Sequence, residues 1–357
     1  MDHTIHIERS TNLKSRPDEN KLGFGQYYTD HMFILEYTEG QGWHSGRVVP
    51  YQNISMDPAA KVFHYGQTVF EGMKAYRTEQ GIKLFRPKKN FERLNRSNAR
   101  LSIPHIDEDI AYKGLIELLN VDRDWVPSVE GTSLYIRPFI IATEAALGVN
   151  PSQNYLFMII MSPVGAYYAE GVNPVKIHVE SEFVRAVAGG VGEAKTAGNY
   201  AAGLNAQEQA KEQGYSQVLW LDGVHRRYIE EVGSMNVFFK INGVVHTPML
   251  NGSILDGITR NSVITLLKYW GVPVEERRIS IEELVEAHQK GQLEEAFGTG
   301  TAAVISPVGE LSYHGEKFVI NNGEIGEISG KVYDTITGIQ TGKVEDPFGW
   351  VVGLDSN

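Results

Sequence analysis

The sequence predicts a mixed α/β or α+β chain folded as two domains. Three observations lead there. At 357 residues the chain exceeds what one hydrophobic core commonly serves. Strand-like and helix-like segments interleave along its whole length. The interleaving also lacks the regular strand–helix–strand rhythm of a doubly wound parallel sheet.

The elements follow in order. MFILEY (32–37) and GRVVPYQ (46–52) carry apolar, β-branched and aromatic residues and read as strands. A helix rich in arginine and asparagine is expected from Pro87, a favoured first residue of a helix, to Ile103, and a second amphipathic helix from Ile110 to Leu119. SLYIRPFIIATEA (133–145) reads as a strand in which Tyr135 and Arg137 share a face. YLFMIIMSPVG (155–165) is the next strand. The glycine- and tyrosine-containing stretch Gly165–Pro174 reads as the connection, giving an N-terminal domain at 1–166, a linker at 167–174 and a C-terminal domain at 175–357. Beyond it come the strand VKIHVES (175–181), a glycine-rich bend holding Lys195, and a helix from Tyr200 to Gln213 stopped by Gly214. SQVLWLDG, NVFFKING and VVHTPML read as strands. Asp256–Arg260 opens a helix running to Trp270, and Ser280-Ile281-Glu282-Glu283 has the spacing of a capping box. FGTGTAAVISPVG (297–309) reads as a glycine turn entering a strand, and Ile328–Gln340 as the last helix.

Composition excludes several classes. There is no cysteine, hence no disulfide, thiolate nucleophile or sulfur-bound zinc. A formal net charge of −11 argues against binding nucleic acid or an anionic membrane. Hydrophobic content of 42% and charged content of 22% are ordinary globular values. The polar, aperiodic stretch Met1–Lys21 has no apolar core of a secretory signal, and the longest apolar run, YLFMIIM, is too short to span a bilayer. The cytoplasm is the expected location. The eleven histidines form no ligand pair on one helix face, so no metal is expected.

Gly189–Thr196 places a lysine at the end of a glycine-rich bend, with Tyr200 five residues beyond Lys195. Two chemistries use such a lysine: counter-charge to a nucleotide phosphate, or an amine forming an imine with an aldehyde cofactor. The phosphate-loop pattern G-x-x-x-x-G-K-[ST] needs glycine where Ala194 stands, and Asp222 within VLWLDG is only a weak magnesium-ligand candidate. A pyridoxal phosphate site needs four things, and each has a candidate. Lys195 supplies the amine. Ile258 and Thr259 at a helix start, with Arg93, offer N–H donors and charge to a phosphate. Glu231 can keep a pyridine nitrogen protonated. Tyr200 can donate to the phenolate oxygen near the imine. Each has a plainer reading as well. Lys195 can be a solvated turn lysine, Arg93 a surface arginine, Asp256 an ordinary cap, and Glu231 a solvated turn residue, as Glu230 is expected to be.

The ordered set HYGQTVFEGMKAY, LFRPKKNFERLNRSNARL, GTSLYIRP, SPVGAYY, AGGVGEAKTAGNYAAGL, EEVGSMNVF, NGSILDGITR and EAFGTGTAAVISPV resembles branched-chain amino-acid aminotransferases. These are fold-type IV pyridoxal-phosphate enzymes with a two-domain, D-amino-acid-aminotransferase-like fold. The resemblance runs from about Gly23 to the C-terminal segment. It implies that Lys195 carries the imine to pyridoxal 5′-phosphate and shuttles the proton between Cα and C4′. It implies Tyr200 at the cofactor's O3′, Glu231 at its ring nitrogen, and Arg93, Ile258, Thr259 and Thr299 at its phosphate. Thr301 and Ala302 would offer N–H groups to the substrate α-carboxylate. Tyr65, Phe70 and Tyr167 would wall an apolar pocket, with Tyr135 and Arg137 handling the distal carboxylate of glutamate or 2-oxoglutarate. It also implies a homodimer and transfer of the amino group of leucine, isoleucine or valine. Animal relatives can carry a C-x-x-C pair where this chain has Ala303–Ser306, so thiol regulation of that type is excluded. Relatives acting on D-amino acids or aminodeoxychorismate share the lysine and glutamate, though GTSLYIRP argues against both. A phosphate-loop NTPase is the alternative from another class.

Overall fold

The computed structural model describes residues 4–165 and 172–354, and the chain forms two compact units. The first comprises Met1–Ala169, Ala194–Ala197 and Gly338–Asn357; the second comprises Glu170–Glu193 and Gly198–Thr337. Secondary structure is mixed, with one large sheet in each unit, the architecture expected from the interleaved pattern. The expected linker falls partly on residues 166–171, outside the described residues. The division at 175–357 is corrected at two places. The segment around Lys195 joins the first unit because the Phe70 amide donates to the Lys195 carbonyl at 3.0 Å and Val69 bridges Thr196. The chain end joins it because Val351–Gly353 pairs with the strand Gly81–Phe85.

In the first unit the strands are β1 (His6–Ile7), β2 (His31–Thr38), β3 (Gly42–Pro50), β4 (Thr68–Phe70), β5 (Met73–Thr78), β6 (Gly81–Phe85), β7 (Ser133–Ala142) and β8 (Asn154–Val164). The helices are α1 (Lys61–Tyr65), α2 (Pro87–Arg100) and α3 (Glu108–Val121). β8 lies between β2 and β7, and its near-continuous apolar run is buried along almost its whole length. β7 pairs with β8 and β5, so it too is interior to the sheet. Its Leu134, Ile136 and Ile140 enter the main core with Phe33, Phe157 and Ile159. Strand alternation leaves Tyr135 and Arg137 on the other face. Buried Ala111, Gly114, Leu115, Leu118 and Leu119 follow helical spacing on α3. A Cβ on Gly114 would come within 2.5 Å of the Phe33 ring, so glycine there sets how closely α3 meets the sheet.

The second unit has strands β9 (Val175–Val179), β10 (Gln217–Leu221), β11 (Ile229–Val232), β12 (Asn236–Ile241), β13 (Val244–Pro248), β14 (Val274–Arg277), β15 (Leu293–Gly300), β16 (Val304–Tyr313) and β17 (Glu316–Val319). The strand order is β11-β10-β9-β16-β15-β12-β13-β14, with β17 on β16. Parallel pairs (β9 with β10 and β16, β13 with β14) mix with antiparallel ones. The helices are α4 (Ala197–Ala201), α5 (Leu204–Glu212), α6 (Ile258–Tyr269), α7 (Ile281–Gln289) and α8 (Glu327–Gln340); β18 (Val351–Gly353), last in the chain, belongs to the first unit's sheet beside β6. The capping box at Ser280 is realised: its Oγ accepts from the Glu283 amide at 3.1 Å.

Three features depart from the expected elements. The single helix Tyr200–Gln213 is two helices, broken at Ala202-Gly203, and a Cβ on Gly203 would press within 3.2 Å of the Trp220 ring. FGTG is the end of β15 rather than a turn. The polar N-terminal stretch is tied down, with the Lys14 amide donating to Asp30 and the Ser10 amide to His31. Among the described residues no helix is long and apolar enough to cross a membrane.

Candidate active site

Lys195 is built into the first unit by two elements. Its own amide donates to Ser97 Oγ of α2 at 2.9 Å, and its carbonyl accepts from Phe70 of β4. Thr196 Oγ1 adds a bond to the Thr68 carbonyl at 2.7 Å. The backbone on both sides of the amine is thus fixed before any ligand is considered. The Nζ lies 4.8 Å from the centre of the Phe70 ring. Burial, foremost, pushes its pKa from 10.5 down to about 8; the Arg93 and Arg137 charges act in the same direction, and Glu71 and Tyr135 oppose them. A lysine so poised holds a usable neutral fraction near physiological pH, as a nucleophile or base requires.

Arg93 is 4% exposed and meets Glu71 through two parallel bonds of 2.8 Å, Nε to Oε1 and Nη2 to Oε2. Asn90 Nδ2 also donates to Glu71, at 2.8 Å. The reading of Arg93 as a surface arginine is therefore set aside. Glu71 and Asn90, which orient it, were missed because they lie 22 and 3 residues away from it with no motif linking them. Arg137 Nη2 donates to the Tyr135 hydroxyl at 2.9 Å, and its guanidinium sits 4.6 Å from the Phe70 ring centre. Phe70 thus carries a cation from Lys195 and one from Arg137 rather than serving as a purely apolar wall. Arg137 Nε is buried with no hydrogen-bond partner among the described residues, a donor set that suits an anionic ligand. Lys74 stands in register with Tyr135 across β5 and β7, and burial lowers its pKa to about 8. Gly72 makes room for this arrangement, since a Cβ there would fall 2.2 Å from the Tyr135 hydroxyl. Tyr65 ends the short helix α1 with 42% exposure, its hydroxyl donating to the Leu147 carbonyl. Tyr167 lies outside the described residues.

In the second unit Glu231 is 3% exposed, which removes the solvated-turn reading. Its Oε2 pairs with Arg185 Nε at 3.1 Å and its Oε1 accepts from the Leu255 amide at 2.8 Å. The carboxylate is therefore paired and oriented from both oxygens. Glu230, expected in solvent, is 2% exposed and is corrected likewise. Helix α6 begins at Ile258 behind Gly257, which fills the capping position and brings no side chain to the first amides. The cap position weighed for Asp256 is therefore one residue further on, and it is a glycine's. A Cβ on Gly257 would meet Asn236 Oδ1 at 2.0 Å. Thr259 is buried beside Ile258 in that first turn. Thr299, opposite Asn236 in the sheet, is 1% exposed, and its Oγ1 has no partner among the described residues. Thr301 and Ala302 form the turn from β15 to β16, which ends on Val304 at φ +62°. That conformation is strained for a β-branched residue and clusters at functional sites. Tyr200 is half-buried on α4.

The glycines of the bend have their own tasks. Gly189 takes φ +85°. Gly192 instead admits a close approach, because a Cβ there would lie 2.2 Å from the Ser253 carbonyl oxygen and 2.6 Å from Ala186 Cβ. Neither task is that of a phosphate loop.

A family model for class IV amino-transferases matches residues 68–311. The chain belongs to the class IV aminotransferases. This class IV aminotransferase is 65% identical over 348 residues to the branched-chain-amino-acid aminotransferase 2 of Bacillus subtilis (strain 168), covering 97% of this chain and 96% of the relative. Among solved structures, the branched-chain amino acid aminotransferase of Escherichia coli matches with a TM-score of 0.75 at 27% identity, over 92% of this chain and 99% of that one. The branched-chain aminotransferase of the thermophilic archaeon Thermoproteus uzoniensis, solved with norvaline, matches with a TM-score of 0.74 at 27% identity, over 91% and 99%.

Proposed function

We propose that this class IV aminotransferase moves the amino group of L-leucine, L-isoleucine or L-valine to 2-oxoglutarate in two half-reactions, with pyridoxal 5′-phosphate as cofactor. The observation that carries the reading is the near-full-length likeness to branched-chain aminotransferases. The half-buried, cation-flanked Lys195, whose amine has a lowered pKa, supports it from within the chain. The residues fit the cofactor: an amine of lowered pKa at Lys195, a fixed carboxylate at Glu231, a glycine-capped helix start at Ile258 and Thr259, and an orphaned hydroxyl at Thr299.

When bound, pyridoxal phosphate supplies the electron sink that makes an amino acid's α-proton acidic. Lys195 would hold the cofactor through its Nζ, and the same amine would move the substrate's α-proton as a base. Glu231 keeps the ring nitrogen protonated, and Arg185 holds Glu231 in place. Tyr200 donates to the phenolate oxygen. Arg93, aimed by Glu71, together with the amides of Ile258 and Thr259 and the Thr299 hydroxyl, binds the phosphate. The Thr301 and Ala302 amides take the α-carboxylate. Tyr65 and Phe70 wall the pocket for the aliphatic side chain. Arg137, steadied by Tyr135, meets the second carboxylate when the acidic partner enters, so one site serves both substrates. The reading includes a homodimer, which rests on the resemblance alone, and a cytoplasmic location.

The experiment is a coupled assay of L-leucine, L-isoleucine, L-valine, L-aspartate and D-leucine, each with 2-oxoglutarate. Turnover of the three branched L-amino acids well above the other two is expected. Preference for D-leucine, or no glutamate formed with any donor, would overturn the reading.

A further inference from the structure

Glu230 and Glu231 are neighbours on β11, and strand alternation sends their carboxylates to opposite faces. The mechanism above uses Glu231 and leaves Glu230 without a task, yet Glu230 is 2% exposed. Its Oε1 accepts from Ser253 Oγ, and from Asn251 Nδ2 at 3.3 Å. Its Oε2 is buried with no hydrogen-bond partner among the described residues. Burial, foremost, raises its pKa; Ser253, Asn251 and the Arg185 charge oppose this, and Asp222 adds to it.

Ser253 has a single hydroxyl proton and faces two acceptor oxygens, Glu230 Oε1 and Asn251 Oδ1, the latter at 2.8 Å. The Asn251 amide cannot be turned round to relieve this, because its Oδ1 also accepts the Ser253 amide at 3.1 Å while its Nδ2 faces Glu230. A protonated Glu230 resolves this conflict: its Oε1–H donates to Ser253 Oγ, which in turn donates to Asn251 Oδ1.

The turn anchored in this way leads to the cofactor-facing groups of the second unit. The Ser253 carbonyl accepts from Arg185 Nη2, which also donates to the Gly192 carbonyl at 3.1 Å. The same guanidinium pairs with Glu231. Two residues after Ser253, the Leu255 amide donates to Glu231 Oε1, and the Leu255 carbonyl accepts from Asn236 Nδ2 at 2.9 Å. Two residues further on, Gly257 caps α6.

We propose that Glu230 is a positioning residue for the cofactor. Through Ser253 and Asn251 it fixes the turn 251–257, which both holds Glu231 through Leu255 and Arg185 and delivers the Ile258–Thr259 helix start. Glu230 touches neither substrate nor cofactor and works as a neutral hydrogen-bond donor. The inference rests on the pyridoxal-phosphate reading given above.

The test strips the cofactor from the full-length protein and titrates the parent, Glu230→Ala, Glu230→Gln and Ser253→Ala with pyridoxal phosphate, following near-visible absorbance and its pH profile. Groups that orient a ligand-contacting residue change affinity by about tenfold or more when removed. Glu230→Ala and Ser253→Ala should therefore lose cofactor affinity by about that factor and shift the pH profile of the bound cofactor. KM for leucine in the cofactor-saturated enzyme should stay near the parent's. Glu230→Gln, whose amide can still donate to Ser253, should restore affinity close to the parent's. Parental affinity and pH profile in Glu230→Ala would overturn the proposal, as would a glutamine variant no better than alanine. If Glu230→Ala does not fold, Ser253→Ala decides in the same way. A parent that takes up no pyridoxal phosphate would instead bring down the functional reading itself.

Discussion

Replacing Lys195 with methionine should stabilise the cofactor-free protein near neutral pH. Methionine keeps an apolar stem over Phe70 and removes the charge that burial and the neighbouring Arg93 and Arg137 disfavour. The gap between 10.5 in the unfolded chain and about 8 in the folded one is worth at most about 3 kcal/mol. The sign follows from proton counts. Between about pH 8 and 10.5 the unfolded chain holds a proton that folded Lys195 has released, so the parent's stability rises with pH across that window. Below about pH 8 both states are protonated and the parent carries the whole deficit. The methionine variant should therefore gain about 3 kcal/mol at about pH 7, with the advantage fading to nothing as pH climbs through the window. Urea unfolding of parent and variant across that range, without cofactor, measures it. A difference that does not vary with pH, or a variant less stable near neutrality, would refute the reasoning. Lys74→Met should show the same pH pattern, since burial lowers its pKa to about 8 as well.

Three further outcomes follow from the geometry. Arg137→Met should raise KM for 2-oxoglutarate and glutamate by about 10–100-fold, the worth of a charge-assisted bond, while leucine is little affected; steady-state kinetics with each substrate check this. Glu231→Gln should lower kcat by about a hundredfold, as expected when an electrostatic partner of the transition state is lost, and single-turnover rates with leucine measure it. Gly192→Ala should destabilise by about 1–3 kcal/mol because its Cβ would run into the Ser253 carbonyl. Gly189→Ala meets only open space and carries just the strain of φ +85°, so denaturant unfolding should rank the two in that order.

Much of this is legible because the residues proposed to carry the chemistry sit in short local patterns. Lys195 on its bend, Glu231 at a strand entrance, and Ile258 and Thr259 at a helix start announce themselves by residue type and neighbours. The long buried strand β8 and the capping box at Ser280 are equally local. What sequence did not reveal are the partners supplied from far along the chain. Glu71 aims Arg93 across 22 residues, and Arg185 reaches Glu231 across 46. Ser97 holds the Lys195 amide across 98. Glu230 reads as solvent-facing because a glutamate beside a glycine turn commonly is; its partners Asn251 and Ser253 come from about twenty residues further along the chain. Gly192 and Gly203 looked like generic loop glycines, and their reason, a carbonyl and an indole ring pressed against the backbone, exists only in three dimensions. The unit boundary differs on the same account, since the Lys195 carbonyl accepts a hydrogen bond from the Phe70 amide that no periodicity predicts.

The most direct test of the central claim is borohydride reduction of the protein loaded with pyridoxal phosphate, followed by peptide mass analysis. The account predicts near-visible absorbance that disappears on reduction, cofactor mass fixed to the peptide carrying Lys195, and neither in Lys195→Ala, which should also fail to transfer the amino group of leucine to 2-oxoglutarate. Label on another lysine such as Lys74, or transamination by Lys195→Ala at the parent's rate, would contradict it.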